Sequence, residues 1–202
     1  MKRLICLVMT LMLACSGALA EAFDQEGLEQ LEGCTVSMDL LEVNTIVRPD
    51  DQPWTGECAL PDSWLDVYLD FIRMPDEEAT FMRLTLSVTS FEYVAAEKVS
   101  ILVNGKEYVF TVEEEVSEYD GMYFEDFTAC MTDESLPMIK AMARSKTDVF
   151  PVTLSGGLEV QGSITLPLDR VAELYDAYIR LGGAKQDLEQ FRQLWPVVIL
   201  ER

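Results

Sequence analysis

The sequence predicts an α+β fold that is mainly antiparallel β, sandwich-like and hairpin-rich, with two or three helices toward the C-terminus. Segments 64–73 and 81–90 alternate apolar and polar residues with period two, the mark of strands with one wet face. Asn104-Gly105 stands between the strand-like runs VSILV and KEYVFTV, and Asn-Gly accepts positive φ at both turn positions, so the pair marks a tight hairpin. Helical spacing of apolar residues becomes sustained only beyond residue 132. Strands gathered ahead of helices argue against a parallel α/β fold, in which the two alternate throughout.

Taken in order, 23–33 reads as a short helix or a terminal extension, 35–43 as a first strand, and 44–61 as a loop holding Pro49, Pro53, Gly56 and Asp50-Asp51. In the next strand Leu65, Val67, Leu69 and Phe71 alternate with Asp66, Tyr68, Asp70 and Ile72. Pro75 and the acids after it break that run, and Met82, Leu84, Leu86 and Val88 then alternate with Arg83, Thr85, Ser87 and Thr89. One wet face on each strand favours antiparallel pairing. The hairpin at 98–112 ends at Glu113-Glu114-Glu115, and 121–130 is an aromatic strand with Tyr123 and Phe127 on one face and Phe124 on the other.

In 132–146, Leu136, Ile139 and Met142 recur at helical spacing, Pro137 fits only the first turn, and Lys140, Arg144 and Lys146 suit the negative end of the dipole. Ser155-Gly156-Gly157 joins a second hairpin, 149–154 with 158–166. A helix over 167–181 carries the stripe Leu168, Val171, Leu174 and Tyr178, and Gly182-Gly183 stops it. A shorter helix over 184–195 ends at Pro196, and 197–200 has the length of an edge strand.

The start of the chain reads as an export signal. Lys2 and Arg3 precede an apolar run over 4–14, and Ala18-Leu19-Ala20 supplies an A-x-A cleavage site. The run is shorter than the ~20 residues of a membrane helix. The expectation is a cleaved signal peptide at 1–20 and a single exported domain at 21–202, periplasmic or extracellular, with no transmembrane span after cleavage. The rival route is lipidation at Cys15, where Met12-Leu13-Ala14-Cys15 partly matches a lipobox.

Charge excludes more than it assigns. With 15 Lys+Arg against 36 Asp+Glu, the net charge of −21 argues against nucleic acid as a partner. The excess is local: residues 21–134 hold 28 acids and 5 bases, whereas 135–202 hold 8 of each. The chain has no His, so a Ser-His-Asp triad, a Cys-His pair and an HExxH zinc site are all excluded. It also has no G-x-G-x-x-G or Walker loop and lacks the calcium-loop spacing, so neither cofactor nor metal is expected.

Paired carboxylates are the catalytic chemistry left open. Asp66 and Asp70 share a strand face but stand roughly 13 Å apart at the backbone. Their side chains would have to lean together to reach the ~5–9.5 Å of a glycosidase pair. The densest acidic stretch, Glu113, Glu114, Glu115, Glu118 and Asp120 with Glu125 and Asp126, reads as a solvated, self-repelling loop or as a surface for a cationic partner. Tyr119, Tyr123, Phe124 and Phe127 read as strand aromatics or a ligand patch, and Trp54 as a plug of the domain or a partner contact.

Export implies an oxidising compartment, and Cys34 with Cys58, flanking the 44–61 loop, is the expected disulfide. Cys130 is left over as a buried thiol or a handle for another chain. The reading that results is a non-catalytic binding or interaction domain for a protein or envelope component that is cationic. The runner-up is a carboxylate-based hydrolase of envelope carbohydrate, and the third is an assembly subunit that presents 197–200 as an added strand.

Overall fold

The computed structural model describes residues 32–39, 44–74, 79–131, 135–180 and 197–201. The 1–20 segment with Cys15, most of 23–33 and the helix expected at 184–195 lie outside the described residues. The strands are β1 (Cys34–Asp39), β2 (Asn44–Pro49), β3 (Trp54–Cys58), β4 (Trp64–Met74), β5 (Ala79–Ser90) and β6 (Lys98–Val103). They continue as β7 (Lys106–Thr111), β8 (Glu113–Tyr119), β9 (Met122–Cys130), β10 (Val149–Ser155), β11 (Val160–Thr165) and β12 (Val197–Glu201). The two described helices are α1 (Leu136–Ala143) and α2 (Leu168–Arg180).

Where the sequence pattern suggests the two layers of a sandwich, the strands form one curled sheet in the order β12-β7-β6-β10-β11-β3-β4-β5-β9-β8, with β1 on β2 and β2 on β4. Every described pairing is antiparallel. β4 spans two neighbours on one edge, pairing β3 along its first residues and β2 along its last.

Two expected loops are strands. The 44–61 stretch contains β2 and β3, with Pro49 and Pro53 at strand ends and Gly56 inside β3. The Glu113-Glu114-Glu115 run opens β8, which returns into β9 through Asp120 (φ 54) and Gly121 (φ 78). That is the same two-residue turn that Asn104 (φ 50) and Gly105 (φ 83) make between β6 and β7.

The alternation read from the sequence decides the inside. Leu65, Val67, Leu69 and Phe71 of β4, Met82, Leu84, Leu86 and Val88 of β5, and Ile101, Phe110, Phe150, Leu154 and Ile164 from the far half all enter one core. The helices fill the concave side, α1 with Leu136, Met138, Ile139 and Met142, and α2 with Val171, Leu174, Ala177 and Tyr178. They touch each other, α1 also reaching β6 and α2 reaching β4. Tyr178 packs its ring 5.8 Å from that of Phe71 and donates its hydroxyl to the Thr80 carbonyl at 3.0 Å. That bond satisfies the polar end of a fully buried aromatic.

β11 and β3 join the two halves of the sheet through only three residue pairs, Gly162↔Cys58, Ser163↔Glu57 and Ile164↔Gly56. Gly56 and Gly162 share the inward parity of Trp54 and Ile164, so glycine occupies the crowded side of this junction. A Cβ on Gly162 would stand 2.3 Å from the Glu57 carbonyl oxygen, which is backbone and cannot swing aside. Gly162→Ala should therefore destabilise the fold by about 1–3 kcal/mol through overpacking. Urea unfolding of the wild type and the variant checks this, as a lower midpoint with unchanged slope.

Candidate functional site

Because partners in an antiparallel register share a face, the pairings set the outward side chains in rows across β3, β4, β5, β9 and β8. One row reads Thr55, Asp66, Ser87, Asp126, Glu115. On one side of it lies Trp64, Thr89, Phe124, Ser117, and on the other Tyr68, Thr85, Thr128, Glu113. Thr85 and Thr128 share a hydroxyl hydrogen bond of 3.0 Å. Trp64 is 58% exposed and Phe124 39%, so the carboxylate row is bordered by open aromatic faces. Adjacent strands are about 4.8 Å apart, which places Asp66 and Asp126 roughly 10 Å from each other with Ser87 between them.

The row beyond is an ion cluster. Asp70 is buried, and Arg83 grips it with Nε to Oδ1 at 2.9 Å and a terminal nitrogen to Oδ2 at 3.0 Å. Arg48 reaches the same Oδ2 at 2.7 Å while lying over the Tyr68 ring, 4.8 Å from its centre. Burial of Arg83 works against its charge, but the hydrogen bond and charge of Asp70 outweigh it and raise its pKa. The structure does not bring Asp66 and Asp70 together as a catalytic pair. Both Asp70 oxygens are taken by guanidinium groups, which leaves no free carboxylate to attack or to transfer a proton.

The cysteines also differ from expectation. Cys34, Cys58 and Cys130 are free thiols, and the Cys34–Cys58 disulfide is not formed. Cys34 pairs with Pro49, which the β2–β4 register sets level with Leu69, whereas the Cys58 thiol contacts the Ser63 hydroxyl at 2.9 Å. Six residues of β4 separate those levels, roughly 20 Å, well beyond the ~7 Å between Cα atoms that a disulfide spans. Burial pushes the Cys130 thiol up to about 12, and its site beside Ile72 and Phe81 suits a packed thiol rather than a nucleophile.

Among the weaker partner candidates, Trp54 is buried in the core, the position of a plug. Glu113, Glu115, Glu118 and Asp120 are exposed, and Glu113 and Glu115 belong to the outward rows. Glu114 points the other way, toward Glu125. Of the aromatics, Phe127 is buried and Tyr123 stacks on Tyr93 at 5.3 Å, while Tyr119 and Phe124 are open. β12 pairs with β7 of its own chain, from Val197↔Phe110 to Glu201↔Lys106, so this strand is used internally.

Comparison with protein-family models, with curated proteins and with solved structures finds no match. The site therefore rests on its own geometry. Among the described residues no three Asp, Glu or Cys side chains converge as metal ligands. A cleft of about 490 Å3 lies between Glu32-Gly33 and α2, where Arg170 is already tied to Glu173 at 2.6 Å and Asp51 at 3.5 Å.

One functional group escaped the sequence reading. Glu125 is fully buried, and its carboxylate accepts from the backbone N–H of Val94 at 2.9 Å and of Ala95 at 2.7 Å. Its position between Tyr123 and Phe127 on the inward parity was the available signal. Burial raises its pKa; the two backbone N–H groups pull it down, and the neighbouring Glu114 carboxylate pushes it up. A carboxyl with a raised folded-state pKa stabilises fully below the unfolded value and loses that contribution as pH rises through the folded value. Relative to Glu125→Gln, the wild type should lose stability as pH climbs from the ordinary Glu range, about 4.3, toward neutrality. Urea unfolding of both proteins across that window tests it, and parallel pH profiles would exclude the assignment.

Proposed function

We propose that this protein is an exported, non-catalytic binding domain whose outward sheet face and β8 take up a cationic protein or envelope component. The observation that carries the reading is the Asp66, Asp126 and Glu115 row, extended by Glu113 and bordered by Trp64 and Phe124. Like charges placed side by side on adjacent strands cost stability, so the row is better matched to a positive partner than to the isolated fold. Aromatic faces beside the acids add a second attraction for Lys and Arg groups. The 28 acids and 5 bases of residues 21–134 supply a long-range field of the same sign.

Export through the 1–20 signal is part of the proposal. An intact mass beginning at Glu21 supports release, whereas a lipid-bearing chain beginning at Cys15 replaces it with an anchored form. For binding, the mature protein should be captured on a lysine-coated surface at low ionic strength. It should be released as the screening length shrinks from ~10 Å at 0.1 M salt to ~3 Å at 1 M. Neutralising the face as Glu113→Gln, Glu115→Gln and Asp126→Asn together should weaken capture about tenfold, which corresponds to ~1.4 kcal/mol. Capture that is indifferent to both salt and the triple substitution would overturn the reading.

A further inference from the structure

Resting on that reading, we infer that the cationic partner is an extended segment that adds to β8 as a further antiparallel strand. β8 has β9 on one side and, among the described residues, no strand on the other. Six of its seven residues, all but Glu114, are exposed, including Val116 at 50% and Tyr119 at 78%. Among the described residues, no other strand therefore covers the open edge of β8.

The turn fixes which main-chain groups face outward. In a two-residue hairpin the residues flanking the turn form a hydrogen-bonded pair, and bonded and non-bonded pairs then alternate along the ladder. Tyr119↔Met122 is that first pair, so Ser117↔Phe124, Glu115↔Asp126 and Glu113↔Thr128 bond inward to β9. The N–H and C=O groups of Glu118, Val116 and Glu114 consequently point to the open edge. They are a ready ladder for an incoming strand.

Charge selects the occupant. Alternate side chains of an added strand would stand beside Glu113 and Glu115 on the outward face, and beside Glu114 and Glu118 on the other, at the ~5 Å typical of cross-strand neighbours. A second copy of β8 paired antiparallel over its full length would set Glu114 against Glu118 twice, with no cation to answer them, and is disfavoured. A strand with Lys or Arg at every second position sets cations against the acids on one face, while its main chain completes the ladder. Exposed Val116 and Tyr119 offer apolar contact to such a strand, which an edge built only for repulsion would not display.

The test uses the mature protein and two peptides, one of alternating lysine and threonine and the same peptide N-methylated at every backbone amide. Methylation keeps each charge and removes each main-chain donor. The parent peptide should bind at least about tenfold more tightly than the methylated one and should slow amide exchange at Val116 and Glu118. Val116→Pro removes one outward N–H at a position where an edge strand tolerates proline, and it should reduce parent binding to the methylated level. Equal binding of the two peptides, with salt dependence retained, overturns strand addition while leaving the cationic face intact. Absence of salt-sensitive binding by either peptide overturns both. If Val116→Pro unfolds the domain, the peptide pair on the wild type decides alone.

Discussion

The narrow junction between β11 and β3 is the constraint on which the architecture depends. Three residue pairs connect five strands on one side to seven on the other, β1 and β2 included, and both strands carry an inward glycine at that junction. Leu65 fills the space a Gly56 side chain would take, its Cδ2 lying 2.7 Å from where that Cβ would stand. The strands can therefore meet closely without opening a void. Only a sheet curled this far encloses α1 and α2 against the inward faces of both halves, and only then do residues as distant in sequence as Val67, Phe110 and Tyr178 share one core.

Away from that junction, a buried carboxylate ties the two halves together. Glu125 on β9 accepts from Val94 and Ala95, and the Val94 carbonyl in turn accepts from the Leu158 N–H in the β10–β11 connection at 2.8 Å. One side chain from the second half of the sheet is thus linked through the 91–97 segment to the first half. Apolar packing cannot supply that link, because the segment presents backbone N–H groups that would otherwise be buried without partners. The cost is a carboxylate removed from water beside Glu114, and the raised pKa of Glu125 is the expression of that cost.

The sequence shows strand content wherever alternation is clean, as in β4 and β5, and the hairpin at Asn104-Gly105 is legible from two residues. Asp120-Gly121 carries the same turn signal, but three consecutive glutamates obscured the strand before it. An edge strand tolerates such a run because most of its side chains remain in water. β2 and β3 are hidden for a different reason: Pro49, Pro53 and Gly56 mark loops in general, and here they mark strand ends and a close strand junction. The Cys34–Cys58 pairing was inferred from sequence spacing, whereas β4 places the two cysteines at different levels along its length. Asp70 and Glu125 look like surface acids in the sequence. What removes them from the surface is long-range register, with Arg48 and Arg83 in one case and the 91–97 segment in the other.

Curling also decides where the charge goes. The concave side is filled by helices and apolar side chains, so acids alternating along β4, β8 and β9 stand mostly on the convex side, with Glu125 and Glu114 turned in and Glu118 exposed on the same parity as Glu114. Asp70 has its charge answered by two arginines within the fold, while Asp66, Asp126, Glu115 and Glu113 form no ion pair among the described residues and remain partly or fully exposed. Apart from the Asp126–Glu115 pair itself, their partners across the register are hydroxyls, which cannot neutralise them. Asp126 and Glu115 face each other about 5 Å apart and Glu113 follows Glu115 at about 7 Å along β8, each within one screening length of its neighbour at physiological salt, ~8 Å, so these three act on an approaching charge as a group. The repulsion that keeps a second β8 away and the attraction that draws a cation are the same field, and the sign of the incoming strand decides between them.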